Sequence, residues 1–111
     1  MARVVAYIPD LLFGSAVVSA LQAAGHEVEL RGELGSSAVR GDLLLVDLTA
    51  EPGQRIEHAR AVPLPKLAFY AHVEPSVRAS AEAAGFELVV PRSRMAREGA
   101  ALVARVLGGG A

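Results

Sequence analysis

Short, dense apolar runs alternate along this chain with stretches in which apolar residues recur every three or four positions. The first run, Val4-Val5-Ala6-Tyr7-Ile8, predicts a buried strand that Pro9-Asp10 ends. Asp10 is a good N-cap for a helix from Leu11 to Ala24, with Val17, Val18, Leu21 and Ala24 as its apolar stripe and Gly25 as the stop. Val28 to Leu30 predicts a short second strand. Residues 33 to 40 are weakly patterned, and a short helix or a plain loop both fit. Leu43 to Asp47 is the clearest strand, and its unbroken apolar run suits a central position covered on both faces. After the Pro52-Gly53 turn, Gln54 to Ala61 predicts a short helix with Ile56 and Ala59 inward. Lys66 to Tyr70 is a fourth strand. Glu74-Pro75 opens a helix that runs to Ala84, because proline in the first turn loses no helical hydrogen bond. Phe86 to Val90 is a fifth strand. Ser93 is expected to cap a last helix whose inward side holds Met95, Gly99, Leu102, Val103, Val106 and Leu107.

Five strands and about five helices in alternation imply an α/β fold with three αβα layers and a parallel sheet. Among doubly wound orders, 2-1-3-4-5 is the choice. The two segments Ala23-Ala24-Gly25-His26-Glu27-Val28 and Ala83-Ala84-Gly85-Phe86-Glu87-Leu88 solve the same helix-to-strand turn twice. With 111 residues and short connections, residues 1–111 form one domain, with 108–111 as a flexible tail.

Composition narrows the function classes. A net charge of -1 argues against binding nucleic acid or an acidic membrane through bulk charge. With no cysteine there is no disulfide framework, thiolate nucleophile or cysteine metal site. No signal-length apolar core follows the N-terminus and no run approaches a membrane span, so a cytoplasmic location is expected. No two of His26, His58 and His72 have metal-ligand spacing, and no metal site is expected. The serines on helices lack the Gly-x-Ser-x-Gly elbow of a hydrolase. No Gly-x-Gly-x-x-Gly or Walker loop follows the first strand, and Asp10 would repel a flavin phosphate there.

The remaining candidate chemistry lies at the C-terminal ends of the strands, where open α/β sheets bind ligands. Asp47 closes the third strand, and a carboxylate above a core needs a partner. Arg92, after the fifth strand, is the expected ion-pair partner. Asp10 reads as an N-cap or as a metal ligand. Tyr70, His72 and Ser93 complete a possible pocket. His72 could be a pH-sensitive contact or an ordinary loop residue. Arg94, Arg97 and Arg105 along the last helix read as a solvated face, with Arg94 and Glu98 as an (i, i+4) pair, or as a partner surface.

In element order, length, the Asp47 strand end and the Ala-Ala-Gly before strand five, the chain resembles a receiver domain of the response-regulator type. That family has the flavodoxin-like, chemotaxis-regulator (CheY-like) fold, and the resemblance spans Arg3 to Leu107. It is also similar to small bacterial stand-alone proteins of this shape in Asp10-Leu11-Leu12-Phe13, Val46-Asp47-Leu48, Ala71-His72-Val73 and Arg92-Ser93. The resemblance makes Asp47 the phospho-acceptor position and His72 a possible phospho-site neighbour. The acid pair that would hold Mg²⁺ falls on Ile8 and Pro9, with Asp10 one place late. Tyr70-Ala71-His72 supplies no short hydroxyl, Arg92 stands for the usual lysine, and Ser93 for the proline after it. The expected function is therefore a non-enzymatic pseudo-receiver without a cofactor, acting in signalling through protein contacts. It could act as a homodimer through the fourth helix, fifth strand and fifth helix, with no nucleic-acid or membrane partner. The alternatives are an atypical Mg²⁺-dependent receiver phosphorylated on Asp47, and a small-ligand module at the strand C-termini.

Overall fold

The apolar runs pair side by side in a single five-stranded parallel sheet. A computed structural model describes residues 2–35, 38–71 and 75–108. Its strands are β1 (Arg3–Tyr7), β2 (Glu27–Arg31), β3 (Leu43–Asp47), β4 (Lys66–Tyr70) and β5 (Leu88–Pro91), in the order β2-β1-β3-β4-β5. The helices are α1 (Leu11–Ala23), α2 (Pro52–Arg60), α3 (Pro75–Ala83) and α4 (Arg92–Leu107). Every pairing is parallel, and Asp47 of β3 stands beside Phe69 of β4.

Strand alternation divides the core into two layers. Val4, Ala6, Leu43, Leu45, Leu67, Phe69 and Val90 pack with Val17 and Leu21 of α1 and Met95, Leu102, Val103 and Val106 of α4. On the opposite face Val5, Tyr7, Leu44, Val46, Ala68, Tyr70 and Val89 pack with Ile56 and Ala59 of α2 and Val77 and Ala81 of α3. All of β3 is buried, as its apolar run requires. Gly25 and Gly85, at φ +96° and +93°, end α1 and α3 in the left-handed conformation that glycine adopts without a Cβ clash.

The structure corrects several expectations. Four helices are present among the described residues rather than about five, because no helix joins β2 to β3. The cause lies in β2. Its outer face is Glu27, Glu29 and Arg31, tied into ion pairs with one another and with Arg3, so it offers no apolar surface for a helix to cover. Leu34 and Val39, from the connecting segment, pack on the core instead. Residues 36–37, in the middle of that segment, lie outside the described residues. The helix expected from Gln54 begins two residues earlier, with Pro52 in its first turn. Strand five starts at Leu88. Phe86 turns into the core from the preceding turn, and the Glu87 carboxylate accepts from Lys66 N at 2.8 Å. Ser93 does not cap the last helix. The helix starts at Arg92, which leaves Ser93 inside the first turn, and no side chain caps it. It also kinks at Glu98 (φ −125°, ψ 16°), where Arg94 and Arg97 both reach the Glu98 carboxylate at 3.5 Å.

Candidate functional site

Asp47 ends β3 with its carboxylate almost wholly out of solvent, the side chain 3% exposed. One oxygen, Oδ1, accepts from Thr49 N at 2.8 Å and from the Thr49 hydroxyl at 2.5 Å. This is an Asx turn, the local bond that an aspartate makes to the backbone two residues on. The other oxygen, Oδ2, lies 3.4 Å from Arg55 Nη1, and that nitrogen also donates to the Asp47 carbonyl at 3.0 Å. Both carboxylate oxygens are thus engaged by groups of the chain itself. Glu51 holds the connecting loop in a left-handed conformation (φ 46°, ψ 49°), and Pro52 then begins α2, which carries Arg55 back over the strand end. The Arg55 guanidinium also stands 6.0 Å from the Tyr7 ring centroid. Burial pushes the Tyr7 phenol above its ordinary pKa, with Arg55 partly opposing it, and its hydroxyl lies 3.3 Å from His58 Nδ1.

The expected Asp47–Arg92 pair does not form. Arg92 instead points to Asp10, with Nη2 3.4 Å from Oδ2 and both side chains nearly half exposed. Its guanidinium lies 4.2 Å from the Phe13 ring centroid, and Phe13 packs at 5.0 Å on Phe69. Asp10 does two jobs. Its Oδ1 caps α1 by accepting from Leu12 N and Phe13 N at 3.1 Å, and Oδ2 meets Arg92. The reason for the exchange is reach. Arg55 comes to Asp47 from α2, the helix that follows β3, whereas Arg92 opens α4 on the side of α1.

An open cleft of about 670 Å³ lies between these elements, lined by Phe13, Thr49, Ala71, Arg92, Ser93 and Ala96. Arg92 and Ser93 of the expected pocket line it, and Asp10 joins through its ion pair. Tyr70 and Asp47 do not line it. Tyr70 faces the α2–α3 layer, where it and, more strongly, Glu82 raise the pKa of Arg78. His72 lies outside the described residues. Arg94, Arg97 and Arg105 are spaced along α4, the first two paired with Glu98.

A receiver-type Mg²⁺ needs several hard oxygens converging on one point. Asp10 and Asp47 do not offer them, since each carboxylate is taken up by a guanidinium and by backbone or hydroxyl donors. Among the described residues no three of His, Asp and Glu converge. The donor set does not fit the ion.

Sequence reasoning missed Arg55 and Thr49. Both left a signal. Asp47-Leu48-Thr49 spells an Asx turn, and Arg55 stands four residues before the inward Ala59 on the same side of α2.

No family model and no curated protein matches the chain. Solved structures do. A response regulator from Thermotoga maritima is 15% identical, with 96% of this chain and 97% of that chain covered and a TM-score of 0.78. A response regulator receiver protein from Burkholderia phymatum is 20% identical over 97% and 96%, with a TM-score of 0.79. The signal receiver domain of the putative response regulator NarL from Mycobacterium tuberculosis is 23% identical over 97% of both chains, with a TM-score of 0.73. The chain has the receiver-domain fold.

Proposed function

We propose that this chain is a non-enzymatic pseudo-receiver, a signalling or regulatory module that works through protein contacts rather than by accepting phosphate. The observation that carries this reading is the closure of Asp47. A phosphoryl acceptor must present a carboxylate oxygen to the donor, in line with its leaving group. Here Thr49 holds one oxygen, Arg55 faces the other, and the side chain is out of solvent. Arg55 supplies the positive charge that metal and lysine would supply in a working receiver. Its charge stabilises the unmodified aspartate without a metal. Arg94, Arg97 and Arg105 on α4 mark the surface for a protein partner, and a cytoplasmic setting fits such a role.

The test is incubation of the purified protein with acetyl phosphate and Mg²⁺, read by intact mass. The reading expects no phosphoryl adduct in the wild type. An acid-labile adduct that disappears in Asp47→Asn would overturn it and favour an atypical receiver phosphorylated on Asp47.

A second reading rests on the cleft beside Arg92. Its volume is in the range of small-ligand sites, and Arg92, Ser93 and Thr49 line it with one cation and two hydroxyls. Native mass spectrometry of the freshly purified protein would show a carried ligand if this cleft holds one.

A further inference from the structure

The sheet has two edges. At one, β5 is four residues long and ends in Pro91, which has no N–H to offer. At the other, β2 is five residues long and pairs on one side only, with β1. Glu27 N donates to Ala2 O at 2.9 Å and Arg31 O accepts from Ile8 N at 3.1 Å, so the peptide groups of Glu27, Glu29 and Arg31 face β1. Those of Val28 and Leu30 face outward, and no backbone group among the described residues meets them. In the segment that leads to β3, Leu34, Ala38 and Val39 line a recess with His58, Ala61 and Val62 on the α2 side. Side chains alternate along the edge. Val28 and Leu30 pack into the α1 layer, and Glu27, Glu29 and Arg31 stand on the opposite face. Glu27 is 65% exposed, and among the described residues its one ion pair is with Arg3 at 4.0 Å. Arg31 donates through Nε to Glu29 and through Nη1 to Leu34 O, which leaves Nη2 without a partner among the described residues.

We propose that β2 pairs antiparallel with β2 of a second copy of the chain, about a two-fold axis at Glu29, and so joins two sheets into one. The occupant follows from the order of charges. A two-fold contact centred on Glu29 sets position 27 opposite 31, 28 opposite 30 and 29 opposite itself. Glu27 of each copy then faces Arg31 of the other, and Val28 faces Leu30. Opposite charges and apolar side chains placed directly across antiparallel strands stabilise the pairing. The backbone agrees with this register. Val28 and Leu30 both turn their peptide groups outward, so each 28–30 pair exchanges two N–H···O bonds. Glu29 meets its own image on the axis, where each carboxylate is already held by Arg3 of its own chain at 2.8 Å and by its own Arg31. Arg3 and Arg31 balance Glu27 and Glu29, so the patch carries no net charge. Moving the register by two residues sets Glu27 against Glu29 in one direction and against Glu33 in the other. An extended segment that lacks this order of charges leaves Glu27 or Arg31 unmatched, which is how charged edges resist unrelated strands. Five paired residues span roughly 17 Å, which makes a small, weak interface that responds to concentration.

Sedimentation of the full chain tests this across concentrations on the order of 10 µM to 1 mM. The wild type is expected to move from monomer to dimer. Glu27→Arg and Arg31→Glu should each weaken association by at least about tenfold, because each sets like charges across both outer pairs. An equimolar mixture of the two variants should dimerise again, since every outer pair then joins an arginine to a glutamate. Arg78→Glu, on α3, should leave association unchanged. Amide spectra check that each variant is folded. The chain has no cysteine, so Glu29→Cys provides a reading that needs neither charge reversal. It should form a disulfide with its own image under mild oxidation, and Glu27→Cys, whose image lies roughly 13 Å away along the strands, should not. A wild type that stays monomeric throughout overturns the proposal. So does a dimer that survives both charge reversals, that the mixture fails to restore, that Arg78→Glu dissociates, or that cross-links through position 27 and not 29. The pairing goes beyond the contact-module reading, and the two fail separately. Phosphorylation of Asp47 would remove that reading and leave the dimer, whereas a strict monomer would remove the dimer and leave that reading.

Discussion

Arg55 Nη1 stands 3.4 Å from the Asp47 carboxylate and 3.0 Å from the Asp47 carbonyl, so one guanidinium grips both the side chain and the backbone of the same strand-end residue. The Arg55 side chain is 12% exposed and that of Asp47 3%, which makes this a largely dry pair. Removing one partner of such a pair leaves the other charge unpaired in a low-dielectric setting. Asp47→Ala is therefore expected to cost about 3–5 kcal/mol in urea denaturation. Asp47→Asn, which keeps an acceptor for Thr49, should cost less. In a double-mutant cycle, Arg55→Met and Asp47→Asn should show coupling above about 0.5 kcal/mol. Additive losses would mean that the two groups are merely adjacent.

The second pair, Asp10 with Arg92, lies in a different regime. Both side chains are nearly half exposed, so solvent screens their attraction. Arg92→Ala should cost no more than about 1 kcal/mol, most of it from the contact with the Phe13 ring. Asp10→Ala should cost about 1 kcal/mol through loss of the α1 cap, and Asp10→Asn should be close to neutral because asparagine caps as well. Thermal melts of the three variants check the order. A loss at Arg92 as large as that at Asp47 would contradict the assignment of partners.

Glu51 takes a left-handed backbone conformation without the freedom of glycine. That conformation costs a non-glycine residue about 1–2 kcal/mol. Glu51→Gly removes the cost while loosening the unfolded chain, so a net stabilisation below about 1 kcal/mol is expected in denaturant midpoint. Destabilisation would show that the Glu51 side chain, rather than its backbone, holds the loop.

Tyr7 supplies a pH signature. Burial raises its phenol above the ordinary 10.0. The native state then holds the phenolic proton more tightly than the unfolded chain does. This contribution is complete below pH 10 and is lost as the pH climbs through the raised native value. The stability gap between wild type and Tyr7→Phe should narrow above pH 10. A gap that widens there would mean that the folded state favours the phenolate.

The sheet was legible in the sequence because the central strands β1, β3 and β4 carry dense apolar runs, while β2 alternates Val28 and Leu30 with charged residues as an edge strand does. The twin turns at Gly25 and Gly85 followed from that pattern, whereas the strand order was a choice among doubly wound orders that the structure bears out. Element starts were less legible. Pro52 and Arg92 begin helices that were expected to begin later, since proline suits both a turn and a first helical residue. The missing helix before β3 was written in Glu27, Glu29 and Arg31, a charged face that no helix needs to cover. Partner choice at the site was the least legible. It depends on which helix returns over which strand end, and a linear pattern shows only that Asp47 needs a cation, not whether Arg55 or Arg92 reaches it.

Amide spectra recorded while Mg²⁺ and then beryllofluoride are added test the closure of Asp47 most directly, because beryllofluoride stands in for a phosphoryl group on an accessible aspartate. A well-dispersed spectrum with no saturable shift at Asp47, Thr49 or Arg55 is the predicted result. Saturable shifts centred on those residues at modest Mg²⁺ would show an open acceptor and contradict the account.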